Sequence, residues 1–135
     1  MMRLLLDTNI VFALLREPQD PVARRVAEVR ESRVCTSIIV AAELRFGATK
    51  RESARLMAQL EAVFGALEIV PFEAPADAVY GRLRTQLERS GQVIGGNDLL
   101  IAAHAVALGC TIVTDNEREF DRIEGLPSEN WLRPD

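Results

Sequence analysis

Val34-Cys-Thr-Ser37-Ile-Ile-Val-Ala-Ala-Glu43-Leu-Arg-Phe-Gly-Ala48 reads as a strand, a cap and a helix in succession. Val34-Cys35-Thr36 is a short run of residues that suit a buried strand. Ser37 stands where a helix needs an N-cap, and the stretch after it has helical character with apolar residues nearly all round. Helix geometry sets residues three and four positions away on the same face. For Glu43 these are Ile39, Val40, Phe46 and Gly47, with no Lys or Arg among them. An ionised carboxylate in such company either raises its pKa or finds a cation. Glu43 is therefore expected to face something charged that its own helix does not supply.

Outward from this stretch the same alternation recurs. Leu4-Leu5-Leu6 is an apolar run ending at Asp7, and it suits a strand buried on both faces. Thr8 or Asn9 can cap a helix running to about Arg16, stopped by Glu17-Pro18. Asp20-Pro21 offers a second start, with Asp as N-cap, Pro at the first helical position, and Val22, Val26 and Val29 at helical spacing. Thr49-Lys-Arg-Glu52 has the form of a capping box, followed by a stripe of Leu56, Leu60, Val63, Phe64 and Leu67. Glu68 to Pro71 reads as a strand. Pro75 opens a helix through Val79, Tyr80, Leu83 and Leu87 that Gly91 closes. Gly95-Gly96-Asn97 introduces a helix from Asp98 to Leu108, apolar nearly all round and so buried, with Gly109 suited to a left-handed end. Thr111-Ile112-Val113 is a strand, Thr114-Asp115-Asn116 leads into a short helix containing Phe120, and Trp131 is expected in a final edge strand. Alternating strands and helices with short connections, and no repeat or linker, predict one domain over residues 1–135. Its fold class is α/β: three layers, with a central parallel sheet between helices.

Composition narrows the classes. The chain has 135 residues, 48% of them hydrophobic, which supports a full core rather than disorder. No apolar run approaches the roughly 18 residues of a membrane span, and the short apolar segment before Asp7 gives no expectation of a secretory leader. Cys35 and Cys110 are isolated in apparent strands, which predicts buried reduced thiols and a cytoplasmic protein. A net charge of −4 argues against a broad basic surface for nucleic acid. Fifteen of the sixteen basic residues are nonetheless arginine, whose planar fork fits phosphate and carboxylate oxygens.

The acidic residues carry the chemistry. In folds of this class, ligands bind beyond the carboxyl ends of the strands. Asp7 follows the first strand, Glu43 lies on the helix after the second, Asp98 opens the buried helix, and Asp115 follows the last long strand by two residues. Two unit charges about 4 Å apart repel by about 4 kcal/mol at an effective dielectric near 20. Gathering several carboxylates therefore calls for a divalent cation, and a donor set of oxygen alone favours Mg²⁺ or Mn²⁺ over zinc. Singly, Asp7 can be an Asx turn, Asp98 a first-turn acid favoured by the helix dipole, and Asn116 with Glu119 a helix cap. Asp115 is the preferred fourth carboxylate, with Asn116 and Glu119 as alternatives. The Thr114 hydroxyl either reaches the same centre or satisfies the turn. His104, the sole histidine, fits a packed core position better than a site. A phosphatase or phosphoacceptor reading is disfavoured because Asp7-Thr-Asn9 lacks a second aspartate and Lys50 lies far from the strand ends.

Leu-Leu-Asp7-Thr-Asn9, Ala-Glu43-Leu-Arg-Phe-Gly47, Asn97-Asp98-Leu-Leu-Ile-Ala-Ala-His104 and Ile-Val-Thr114-Asp-Asn-Glu-Arg-Glu-Phe120 occur in that order across the chain, followed by Glu129-Asn-Trp131. This ordered set closely resembles the PIN-domain ribonucleases, and among them the VapC toxins of bacterial toxin–antitoxin pairs. The resemblance implies a Mg²⁺-dependent endoribonuclease, with Mn²⁺ able to substitute. Asp7 and Asp98 would be the main metal ligands, Glu43 would complete the acidic centre, and Asp115 or its neighbour Asn116 would fill the fourth position. Asn9 and Thr114 match positions that support the metal shell. The Gly-Gly-Asn-Asp and Arg-Glu-Phe segments look most like the branch that cuts initiator tRNA in the anticodon loop, with ribosomal RNA as the alternative substrate. The resemblance also implies a homodimer, and a cognate antitoxin from another chain that blocks the cleft with its C-terminal segment. That segment would lie in a groove between the early helices and offer a basic side chain to the carboxylates. A rival class is an RNA- or antitoxin-binding module without chemistry, for which the acidic set would have no purpose.

Overall fold

Three consecutive leucines form the centre of the sheet in a computed structural model that describes residues 3–16, 21–29 and 33–132. β1 (Leu4–Leu6) is buried along its whole length, as a strand covered on both faces must be. β2 (Val34–Ser37) pairs with it in parallel, Leu5 opposite Cys35, and β4 (Thr111–Val113) pairs on the other side, Leu5 opposite Ile112. β3 (Glu68–Val70) lies outside β2 and β5 (Ser128–Glu129) outside β4, giving the order β3-β2-β1-β4-β5 with every pairing parallel. The expected central parallel sheet flanked by helices is thus observed.

Among the described residues, seven helices connect the strands: α1 (Thr8–Arg16), α2 (Pro21–Val29), α3 (Ile38–Lys50), α4 (Ala54–Ala66), α5 (Ala76–Arg89), α6 (Gly96–Leu108) and α7 (Glu117–Phe120). The chain steps outward from β1 to β3, then returns past β1 to β4 and β5. Right-handed crossovers in opposite directions place helices on opposite faces. Accordingly α1 packs with α2, α3 and α4, and α6 with α5 and α7, while α3 and α6 also meet, where Asn97 reaches Glu43. Leu5, Leu6, Ile10, Leu60, Leu83, Ile101, Ile112 and Phe120 fill the space between the layers. Cys35 and Cys110 are buried free thiols, and among the described residues no helix is long and apolar enough to cross a membrane.

Several local expectations need correction. Thr49 does not cap α4. It lies inside α3, which runs on to Lys50, and the Arg51 amide still bonds back to Gly47. Glu52 turns the chain with a left-handed φ of 52°, and Ser53 is the cap, its hydroxyl accepting from Leu56 N at 3.1 Å. Thr8 and Asn9 are already helical, so Asp7 receives the start of α1: its carboxylate accepts from Thr8 N and its carbonyl from Ile10 N and Val11 N. Trp131 lies just past β5, buried, with Nε1 donating to Glu129 and the Arg25 guanidinium over its ring. The stop at Glu17-Pro18 and the cap at Asp20 fall outside the described residues. Elsewhere the punctuation matches: Ser37 caps α3 through Ile39 N, and Gly109 ends α6 with φ 70°.

Candidate active site

The strand order reverses at β1 and β4, so the switch point of the sheet lies between Asp7 and Thr114, the residues that leave those two strands. The Asp7 amide donates to Val113 O at 2.9 Å, which keeps the residue in the ladder and fixes its direction. Its carboxylate is almost wholly buried. Oδ1 accepts from Thr8 N at 2.8 Å and Oδ2 from Thr114 Oγ1 at 2.7 Å. The same Thr114 oxygen accepts from Asn116 N at 2.9 Å, so the hydroxyl serves both the acid and the turn.

Glu43 reaches this point from α3. Its partners are polar groups of two other helices: Thr8 Oγ1 donates to Oε1 at 2.7 Å and Asn97 Nδ2 to Oε2 at 3.2 Å. Asp98, in the first turn of α6, accepts from Asn116 Nδ2 at 3.1 Å, and that amide also donates to Glu119 Oε2 at 3.2 Å. The structure therefore brings Asp7, Glu43, Asp98 and Asn116 to one cleft of about 380 Å³, with Glu119 bound in behind Asn116.

Asp115 does not join them. It is exposed, and its carboxylate accepts from Asn130 Nδ2 at 3.0 Å, away from the cleft. The cause is the turn that follows β4: closed by the Asn116 amide on the Thr114 hydroxyl, it carries Asp115 outward to Asn130 and brings Asn116 back to Asp98. Glu119 follows three residues on, the spacing that stacks side chains on a helix. Asn9 Oδ1 accepts from the Asp115 amide at 3.3 Å and so braces this turn. His104 is a buried core residue, with Nδ1 2.8 Å from Ser37 Oγ and its ring edge against Phe72. Burial holds its imidazole below the usual pKa.

The electrostatics reflect crowding. Burial raises the Asp7 carboxyl above its usual range, opposed by the Thr114 and Thr8 bonds and reinforced by the charges of Glu43 and Glu119. Asp98 is pushed up to about 7, first by desolvation, then by sharing a proton with Glu119, then by the charge of Asp7. Glu119 moves down, chiefly through that bond from Asp98. Among the described residues no three His, Cys, Asp or Glu side chains stand close enough to form a ready metal cage. That spacing still fits Mg²⁺, which keeps several waters and commonly takes only one or two carboxylates. Asp7 and Asp98 supply hard oxygen, each raised in pKa first by burial and further by neighbouring carboxylates, and both line the same cleft.

Residues 4–126 match the family described as PIN domain, and the chain belongs to that family. Within it, the chain groups with VapC proteins. It is 41% identical over 129 residues to "Ribonuclease VapC2" of Rickettsia felis, covering 94% of this chain and 96% of that protein. It is 34% identical to "tRNA(fMet)-specific endonuclease VapC" of Shigella flexneri, covering 97% and 99% of the two chains. Among solved structures, VapBC2 of Rickettsia felis bound to a promoter DNA fragment superposes with a TM-score of 0.89 at 39% identity, covering 96% and 99%. DNA-bound VapBC of Salmonella typhimurium superposes at 0.85 with 34% identity, covering 97% and 99%.

Proposed function

We propose that this chain is a metal-dependent endoribonuclease, the toxin of a toxin–antitoxin pair, and that its substrate is a structured RNA. The observation that carries this reading is the convergence of Asp7, Glu43 and Asp98, from three separated segments, on one cleft at the switch point of the sheet. Asp7 and Asp98 are the residues to hold Mg²⁺ or Mn²⁺. A cation held there would supply charge to offset a scissile phosphate and would make water a better nucleophile at neutral pH. Glu43 is the proton acceptor, oriented by Thr8 and Asn97. Asn116 takes the fourth place assigned by sequence to Asp115 and ties Asp98 to Glu119. Thr114 fixes the Asp7 carboxylate, and Asn9 fixes the turn that delivers Asn116.

Initiator tRNA is the proposed substrate, cut in the anticodon loop. The tRNA(fMet) part rests on the naming of the Shigella flexneri and Salmonella typhimurium relatives, and the loop on the resemblance of motifs. Such a substrate places the protein in the cytoplasm. The antitoxin is proposed as a second chain seated in the same cleft, where Phe12, Leu44, Leu56 and Leu60 offer an apolar floor leading to the acids. The similar VapBC complexes support that partner. A homodimer is proposed through the outer face of α3.

Incubating the purified protein with total tRNA, with Mg²⁺ or with chelator, tests the activity. Discrete cuts that disappear with chelator are expected, and Asp7→Asn or Asp98→Asn should lower the cleavage rate by roughly a hundredfold or more while leaving the fold intact. Near-normal, metal-dependent cleavage by either variant would remove the assignment. Binding of tRNA without any cleavage would make the chain a module without chemistry.

A further inference from the structure

A polyanion must enter a cleft whose inner end is acidic, in a chain of net charge −4. Cations are needed along the approach to offset that field. The acidic cleft adjoins a second cavity of about 330 Å³, and the two share Phe12, Leu15, Arg51 and Leu56 in their linings. Along both, the described lining residues include two cations, Arg51 and Arg55. Arg51 borders both cavities, whereas Arg55 borders only the outer one, and the carboxylates border only the inner one. Polarity therefore changes from one cavity to its neighbour, from carboxylates to guanidinium groups.

Arg3, Arg25, Arg45 and Arg84 are each paired with a glutamate. Among the described residues, no ion pair engages Arg51 or Arg55, and both are exposed, as is also true of Arg24, Arg82 and Arg89. Their place on the wall of the cleft is what sets Arg51 and Arg55 apart. They flank the turn between α3 and α4, Arg51 at the C-cap of one helix and Arg55 in the first turn of the other. The α3 dipole favours a cation at Arg51, whereas at Arg55 the α4 dipole opposes a cation and no acidic residue in that first turn offsets it. An anion from outside the chain would relieve that opposition.

We infer that Arg51 and Arg55 are positioning residues for the RNA, holding a backbone phosphate that flanks the scissile one as the strand runs along this cleft. The inference rests on the ribonuclease reading and names which side of the cleft the substrate follows. Guanidinium groups grip phosphate oxygens in a fixed fork, so the contact sets where along the strand the acids act. It also adds counterion release to binding, which makes affinity depend on salt.

Steady-state cleavage of a labelled tRNA anticodon stem-loop in Mg²⁺, between about 50 and 200 mM KCl, tests this directly. In the double variant R51Q/R55Q, KM should rise about fivefold with kcat within about twofold. The log–log slope of affinity against salt should become shallower by about 0.7, the value for one neutralised phosphate of a single strand. The double variant R51K/R55K should recover most of the salt slope but less of the KM, because lysine keeps the charge and loses the fork. Mn²⁺ binding by calorimetry and thermal melting should match wild type in both. A KM and salt slope unchanged in R51Q/R55Q, beside a wild type that cleaves, would overturn the inference alone and leave the arginines to the antitoxin. A wild type that neither binds nor cuts the RNA would overturn the ribonuclease reading with it.

Discussion

Asp98 carries the most strained charge of the cluster, and its pH behaviour can be worked out from its surroundings. Its carboxyl is pushed from an ordinary 3.8 to about 7 by desolvation and by the proton shared with Glu119. Between those values the folded chain binds more protons than the unfolded one, so stability falls as pH rises. The contribution is fully present below about pH 4 and is lost as pH passes through 7. Asp7 is raised as well and acts in the same sense. Metal-free protein should therefore melt at higher temperature at pH 5 than at pH 8, and Asp98→Asn, which has no charge to lose, should flatten that dependence. Melts in chelator across this range would show the variant more stable than wild type at pH 8 and converging with it at pH 5. With Mn²⁺ present the trend should reverse for wild type, since a cation binds only the ionised acids. Parallel curves for the two proteins would mean that Asp98 is an ordinary surface acid.

At the scale of elements, much of the fold was legible because its signals are local. Leu4-Leu-Leu, Ser37 and Gly109 each announce their element within a few residues, and each behaves as expected. Asp7, Glu43 and Asp98 were legible as acids at strand ends or on apolar helices, although their meeting needed the strand order. The turn after β4 was not legible in detail. One residue of phase decides which of Asp115 and Asn116 faces inward, and Thr114 sets that phase through a bond to Asp7, 107 residues away in sequence. The partners of Glu43 were equally hidden, since Thr8 and Asn97 belong to other helices. The junction of α3 and α4 misled for another reason: Thr49 and Glu52 have capping-box spacing, but α3 is long enough to absorb the threonine. That difference has a measurable consequence. Ser53→Ala should cost about 1 kcal/mol by removing the bond to Leu56 N, whereas Thr49→Ala on the exposed side of α3 should stay within about 0.5 kcal/mol. Urea titrations of both variants decide between the caps, and the reverse order would restore the capping box at Thr49.

For the whole molecule, the distribution of apolar surface is as informative as the acids. The two layers of helices bury their leucines and valines, yet α3 leaves Ile38 43% and Phe46 66% exposed. With Ala42 between them, these residues recur every four positions and make one outward stripe. Lys50, the next residue on that stripe, places its ammonium 5.8 Å from the Phe46 ring and covers little of it. A bare aromatic on a helix otherwise committed to the core costs solubility unless something covers it. A second copy of the chain is a self-complementary solution, because a two-fold axis across the stripe sets Phe46 of one molecule against the same helix of the other. Light scattering on the purified protein at micromolar concentration should then give twice the mass of one chain. Phe46→Asp should give the mass of a single chain, since each partner would have to bury an unpaired carboxylate against the other. The side chain lies outside the sheet and its core, so circular dichroism of the variant should keep the wild-type spectrum. Retention of the dimer in Phe46→Asp would move the contact to another face, and a monomeric wild type would mean that this stripe is kept for the antitoxin. Because Glu43 sits three residues from Phe46 on the same helix, comparing tRNA cleavage by dimer and monomer would also show whether pairing steadies the acid that faces the cleft.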